Sequence, residues 1–163
     1  MTSVSALLVD RTASAAAEMA LVLPILLVML FGSVELGNYF LSEHVVQKAV
    51  RDASRYAARL PVTNFDCGSG AMTNATPVQR LARTGDPAGT TARLVDWTDD
   101  TMTTVAVACD TSGTYTGIYT DFPMGVPVVT VTSSVPYTTL FGTMGLGGTL
   151  TLNASQQAAV VGA

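Results

Sequence analysis

The chain has 163 residues, 48% of them hydrophobic and only 12% charged, with a formal net charge of -4. That length leaves room for one domain of about a hundred residues beside a long helix. The acidic balance argues against a nucleic-acid partner, the single histidine gives no basis for a triad, and two cysteines without a C-x-x-C pair argue against zinc. No cofactor, metal site or catalytic residue is expected, and the chain reads as a non-enzyme.

Met1 to Thr12 is too short to fold alone, with Asp10 and Arg11 its only charges. It reads as a leader, a cytoplasmic stub or the front of a signal peptide. Small residues from Ala13 to Ala17 lead to one acid, Glu18, and an uncharged apolar run follows from Met19 to Val34. As a helix that run is about 24 Å long, slightly short of a hydrocarbon core of about 30 Å. Leu36, Tyr39, Phe40 and Leu41 supply the missing length if Glu35 is neutralised. Pro24 removes one helical hydrogen bond and is expected to bend the helix, which membrane helices tolerate. Gly32, Ser33 and Gly37 permit close approach of another helix, and ordinary membrane-helix composition explains them equally well. A cleaved secretory signal would need an A-x-A-like site after the run, and "GSVELGNYF" offers none.

The helix continues past the run. Val45, Val46, Ala49, Val50, Ala53, Tyr56, Ala57 and Leu60 step by three and one, an apolar stripe on one face. Glu43, Gln47, Lys48, Arg51, Asp52, Arg55 and Arg59 occupy the other. The basic row suits a helix C-terminus, and Asp52 is expected to pair with Lys48 or Arg55. The alternative is contact with anionic lipid or an acidic partner. Pro61 ends the helix.

Beyond Pro61 the chain turns Thr- and Gly-rich. Pro77 to Arg83 predicts a short helix opening on proline. "ARLVDW" and "TTVAVAC", flanking "TDDTM", predict a hairpin. "DWTDD" with Asp110 and Asp121 fits no calcium-loop spacing and reads as a solvated turn. Val129 to Thr132 alternates and is the clearest strand. "GTMGLGG" lacks the Lys-Ser/Thr ending of a phosphate loop and reads as a turn before the last strand, "TLTLNASQQAAV". A short antiparallel sheet packed on the apolar face of the helix accounts for these pieces, an α+β fold. Cys67 and Cys109 are an even, isolated pair beyond the apolar run. A disulfide is the better reading, worth about 4 kcal/mol in the chain-entropy model; two buried free thiols are the alternative.

"AAAEMALVLPILLVMLFGSVELGNYF" followed by "VVQKAVRDASRYAARL" resembles the start of TadE-like proteins, pseudopilin-like components of the tight-adherence (Flp-type) pilus assembly system. Glu18, Ala20, Pro24, Glu35, Gly37, Ala53, Arg55 and Ala57 match that pattern, and the C-terminal strands are similar as well. The resemblance implies a pilin-like fold with residues 1–13 as leader or stub, 14–41 as membrane helix, 42–60 as its amphipathic continuation and 61–163 as an extracytoplasmic β-rich domain. It implies a single pass through a bacterial inner membrane, and incorporation in the pilus is open. The partners are then the membrane, other pilin or pseudopilin subunits, Tad assembly proteins and a prepilin peptidase. In the type IV pilin superfamily a glutamate like Glu18 is the fifth mature residue and pairs with the freed amine of a neighbour. This places cleavage between Ala13 and Ser14, although those systems usually carry glycine where Ala13 stands. Glu35 either contacts a membrane partner or has simply reached the outer interface. The positive-inside count, with Lys48, Arg51, Arg55 and Arg59 after the run, opposes an exported C-terminal domain. The cysteines and the resemblance favour it. A single-span anchor holding a ligand- or protein-binding β domain is the alternative function.

Overall fold

The structure is a computed structural model that describes residues 11–113, 115–120, 125–142, 148 and 150–162. The first element, α1 (Arg11–Ala57), is a helix of 47 residues that runs through Pro24 without interruption. It gives way after Ala57 to a turn, three residues short of the expected Leu60. The amides of Arg59 and Leu60 bond to Tyr56 and Ala57, three residues back, tightening the chain ahead of Pro61. The chain divides into two units, Met1–Asn38 and Tyr39–Ala163. The first contributes the apolar run; the second holds the folded core.

In the second unit the Val/Ala stripe of α1 does what its spacing predicts. Val46, Ala49, Val50, Ala53 and Ala57 are fully buried. They meet a three-stranded antiparallel sheet in the order β3-β4-β5, where β3 is Thr103–Asp110, β4 Val126–Tyr137 and β5 Leu150–Ala159. Side chains alternate along β4, so Val129, Val131, Val135 and Tyr137 lie in the core while Ser134 and Pro136 are exposed. Leu152 and Val160 join them beside β4, and the ring of Tyr137 meets Tyr39 edge-on with centroids 5.3 Å apart. The one polar pair in this layer is satisfied internally: Thr103 and Ser133 stand opposite each other and their hydroxyls share a 2.8 Å hydrogen bond.

The short helix α2 (Thr76–Thr84) forms as expected, with proline in its first turn and Gly85 (φ 90°) as a left-handed cap. It buries Val78 and Ala82 beside Trp97. The expected hairpin of "ARLVDW" with β3 does not form. Residues 92–97 are irregular, with bends at 93–94 and a turn at 95–96: the Arg93 amide bonds to the Arg83 carbonyl, and the Asp96 carboxylate accepts from the amide and hydroxyl of Thr138. β3 pairs with β4 instead, from Thr103↔Ser133 to Asp110↔Val126. Leu94 and Trp97, three apart, both serve the core, which a turn permits and a strand with strict alternation would not. Asp52 also differs from expectation. Its partner is Arg93, at 3.7 Å, not Lys48 or Arg55.

The outer edge of β3 is covered. A two-residue hairpin, β1 (Phe65–Asp66) with β2 (Ala71–Met72), lies beside it, and the Val107 amide donates to the Gly70 carbonyl at 2.8 Å. Gln79 of α2 donates to the Thr103 carbonyl, also at 2.8 Å. Cys67 and Cys109 are bonded, with Cα atoms 5.5 Å apart, tying the hairpin to the same edge.

Candidate functional site

Two parts of the chain hold the candidate site residues. The first is the apolar run. From Leu21 to Leu30 the exposed large side chains range from 41% to 73% accessible, on every side of the helix. An amphipathic helix of a soluble domain exposes one polar face; this one exposes apolar atoms all round. By length and composition α1 is able to cross a membrane.

Its acids sit at the two ends of that run. Glu18 is exposed, and no hydrogen bond or ion pair holds it among the described residues. Glu35 is half-covered and engaged within the chain. Seventeen helical steps separate them by about 26 Å along the axis and roughly 100° around it. One neighbouring helix face therefore cannot serve both. Pro24 leaves the Ala20 carbonyl without its usual helical donor. A Cβ built on Gly32 or Gly37 would meet nothing within 4 Å, so any requirement for glycine there comes from outside the chain. The Ala13–Ser14 bond lies within α1.

The second part is the acidic and cysteine-bearing turns of the folded unit. The acids grouped as "DWTDD" are structural pins. Asp96 holds Thr138, Asp99 accepts from the Thr101 amide at 2.7 Å, and Asp100 binds Arg83 at 2.6 Å and Arg80 at 3.3 Å. Asp121, like residues 143–147 of the segment expected to be a turn, lies outside the described residues. Among the described residues no cluster of three potential metal ligands occurs. Sequence reasoning missed these pins because each partner is distant in the chain or offered by a turn.

Three exposed carboxylates have acidities set by their turns. The Ser69 hydroxyl, then the Gly68 and Ser69 amides, hold Asp66 below its ordinary value of 3.8. The Thr101 amide and hydroxyl do the same for Asp99, and the Ser112 hydroxyl and amide, then Tyr115, for Asp110. A depressed folded pKa contributes stability above the unfolded value, which is lost as pH falls through the folded one. The melting midpoint should therefore fall as pH drops below about 4, and Asp66→Asn should flatten part of that decline. A midpoint unchanged down to about pH 2 would contradict the assignment.

Comparison with known proteins finds the same stretch. No curated protein and no solved structure matches the chain. The family model for TadE-like protein matches residues 13–55, which is the apolar run with Glu18, Pro24 and Glu35 together with most of the Val/Ala stripe of α1, and over this helix the chain is similar to TadE-like proteins.

Proposed function

We propose that the protein is a membrane-anchored pseudopilin-like or minor pilin component of a Tad-type pilus system, acting by helix packing and not by chemistry. The observation that carries this is the TadE-like helix itself, apolar on all sides and bounded by two acids. Residues 14–41 span the inner membrane, residues 1–13 are a leader or stub, 42–60 continue the helix and 61–163 form the extracytoplasmic domain. The Cys67–Cys109 bond supports export, since disulfides persist in oxidising compartments. The opposing positive-inside count rests on Lys48, Arg51, Arg55 and Arg59. These belong to a helix already committed to a folded core through Ala49, Ala53 and Ala57, which weakens the count as a topological signal. In this reading Glu18 meets the amine of a neighbouring subunit, Pro24 bends the helix within the bilayer, and Glu35 faces a second membrane partner.

The decisive experiment removes the gene and counts surface pili and attached cells, then restores either the full chain or residues 39–163 alone. Only the full chain should restore both. Normal pili and attachment in the deletion strain would end the proposal. Processing is a separate expectation: in cells with an active prepilin peptidase, intact mass of membrane-extracted protein should correspond to a chain beginning at Ser14. A chain still beginning at Met1 would remove the cleavage step and with it the source of the amine that Glu18 is proposed to meet.

A further inference from the structure

The sheet has two edges, and only one is closed. β3 is covered by the β1–β2 hairpin, Gln79 and the disulfide. β5 is the other edge. Its pairing with β4 runs unbroken from Val128↔Ala159 to Tyr137↔Leu150. The Val160 amide bonds to the Pro127 carbonyl, which fixes the phase of the ladder. In an antiparallel pair, alternate residues exchange bonds with the partner strand. The even-numbered residues of β5 therefore bond to β4, and Thr151, Asn153, Ser155, Gln157 and Ala159 aim their amides and carbonyls outward. Two side-chain bonds agree with that phase. Asn153 Nδ2 reaches the Thr151 carbonyl at 3.4 Å, and Gln156 Nε2 reaches the Gln157 carbonyl at 3.1 Å. No main chain among the described residues pairs with this edge.

Native sheets guard such edges with short strands, lysine, proline or a bulge. β5 has none of these: it is 10 residues long, "LTLNASQQAA", without charge or proline, and its register does not slip. A cleft of about 270 Å³ runs along it, between Gln47 and Arg51 of α1 and residues Asn153, Ala154, Ser155 and Gln156. Arg51 carries the charge there. It is exposed and has no ion pair among the described residues, whereas Arg80, Arg83 and Arg93 are all paired.

We propose that β5 accepts an additional strand from another protein, an extended segment whose one charged side chain is an acid that enters the cleft and meets Arg51. Main-chain bonds to the outward groups of β5 give affinity, and the acid gives specificity. A second copy of this chain fits poorly. α1 runs in the same direction as β5, because Tyr39 packs on Tyr137 at one end and the Val161 amide bonds to the Ala58 carbonyl at the other. Antiparallel pairing of two β5 strands would therefore send the two Tyr39 ends, where each chain joins its apolar run, in opposite directions. Parallel pairing sets each outward residue against an even-numbered one, an odd offset that a closed twofold cannot have. β5 also brings no acid to Arg51. An antiparallel second copy is disfavoured through the proposed membrane anchor; the strand-accepting role itself is separate from packing of the apolar run.

The test uses the full chain in detergent micelles and a synthetic Thr/Val peptide with one central glutamate, followed by amide exchange and chemical shifts. The outward amides of Thr151, Asn153, Ser155, Gln157 and Ala159 should gain protection while those of Leu152 and Ala154, already bonded, do not. N-methylation of the peptide along one edge should weaken binding by about tenfold, a control that leaves the protein untouched. Ser155→Pro should block binding while the β4–β5 ladder stays protected, because that amide bonds to nothing in the sheet. Arg51→Gln should abolish the preference for the glutamate peptide over its glutamine counterpart. Peptide-independent protection rising with protein concentration would assign the edge to a second copy. Arg51-dependent binding to phosphatidylglycerol vesicles without peptide protection would assign the cleft to a lipid headgroup. Either result, or no protection of β5 at all, overturns the proposal.

Discussion

On the proposed pseudopilin role, replacing Glu18 by alanine or leucine should leave the protein in the membrane and reduce pilus assembly by roughly a hundredfold, the equilibrium equivalent of about 3 kcal/mol. On that proposal the same helix has two jobs with opposite demands. Insertion is driven by transfer of the apolar side chains from Met19 to Val34, all exposed or half-exposed in the isolated chain. An acid opposes that transfer by about 2.5–3.5 kcal/mol at a helix centre, and less near an interface. Its removal makes insertion easier. Assembly needs the opposite. Glu18 has no partner within the described residues, so any compensation for a charge in lipid comes from a neighbour. If that neighbour offers an amine, deleting the carboxylate strands a positive group in a low dielectric, and the loss is the large cost of breaking a buried pair. Glu18→Gln keeps the size and some hydrogen bonding and should fall between the extremes. Membrane fractionation with pilus counts on the three variants decides. Full attachment in all three would leave Glu18 an interfacial acid without a role. Disappearance from the membrane would mean that the helix itself was misassigned.

Legibility in the sequence followed the range of the interactions. α1 was readable because its two signals are local and long: an uncharged run and then a stripe at helical spacing. At its C-terminal end the helix stops three residues before Leu60, where turn geometry decides and composition does not. β4 and β5 were readable from alternation, and α2 from its proline. The sheet order was not. "ARLVDW" has a strand's composition, but its backbone is claimed by Arg83 and its Asp96 by Thr138, 42 positions away. Long-range claims of that kind leave no periodic trace. The same holds for Asp52, where an i,i+4 partner on its own helix was available and Arg93 took its place. Within the candidate site the acids and the proline were visible as residue types, and the cysteines as an isolated pair. The open edge of β5 was not visible, because openness is a property of what the other strands cover.

Removing the disulfide should have the largest effect on the folded unit. Cys67 and Cys109 are 42 residues apart in sequence, and closing a loop of that length restricts the unfolded chain by about 4 kcal/mol in the chain-entropy model. Domains of this size are stable by about 5–15 kcal/mol, so the bond accounts for a large share. The melting midpoint of Cys67→Ala/Cys109→Ala should fall by roughly 15 °C. The local consequence is more diagnostic than the midpoint. Strands of two residues cannot hold a hairpin alone, and β1–β2 rests on its ladder, on Phe65 and Met72 in the core, and on the single bond from the Val107 amide to Gly70. Without the disulfide the hairpin should open first, and exchange at Val107 should rise well before exchange at Val129 or Val131 in the central strand. Ser69, Gly68 and Asp66 would open with it, so the acid sensitivity due to Asp66 should disappear in the same variant. Opening the hairpin also uncovers the outward amide of Val107 on β3, giving the sheet two free edges where it now has one. The variant should then self-associate through β3, detectable as concentration-dependent protection of the Val105 and Val107 amides. Equal midpoints for the oxidised parent and the variant, with Val107 still protected, would show that core packing alone holds the hairpin on its edge.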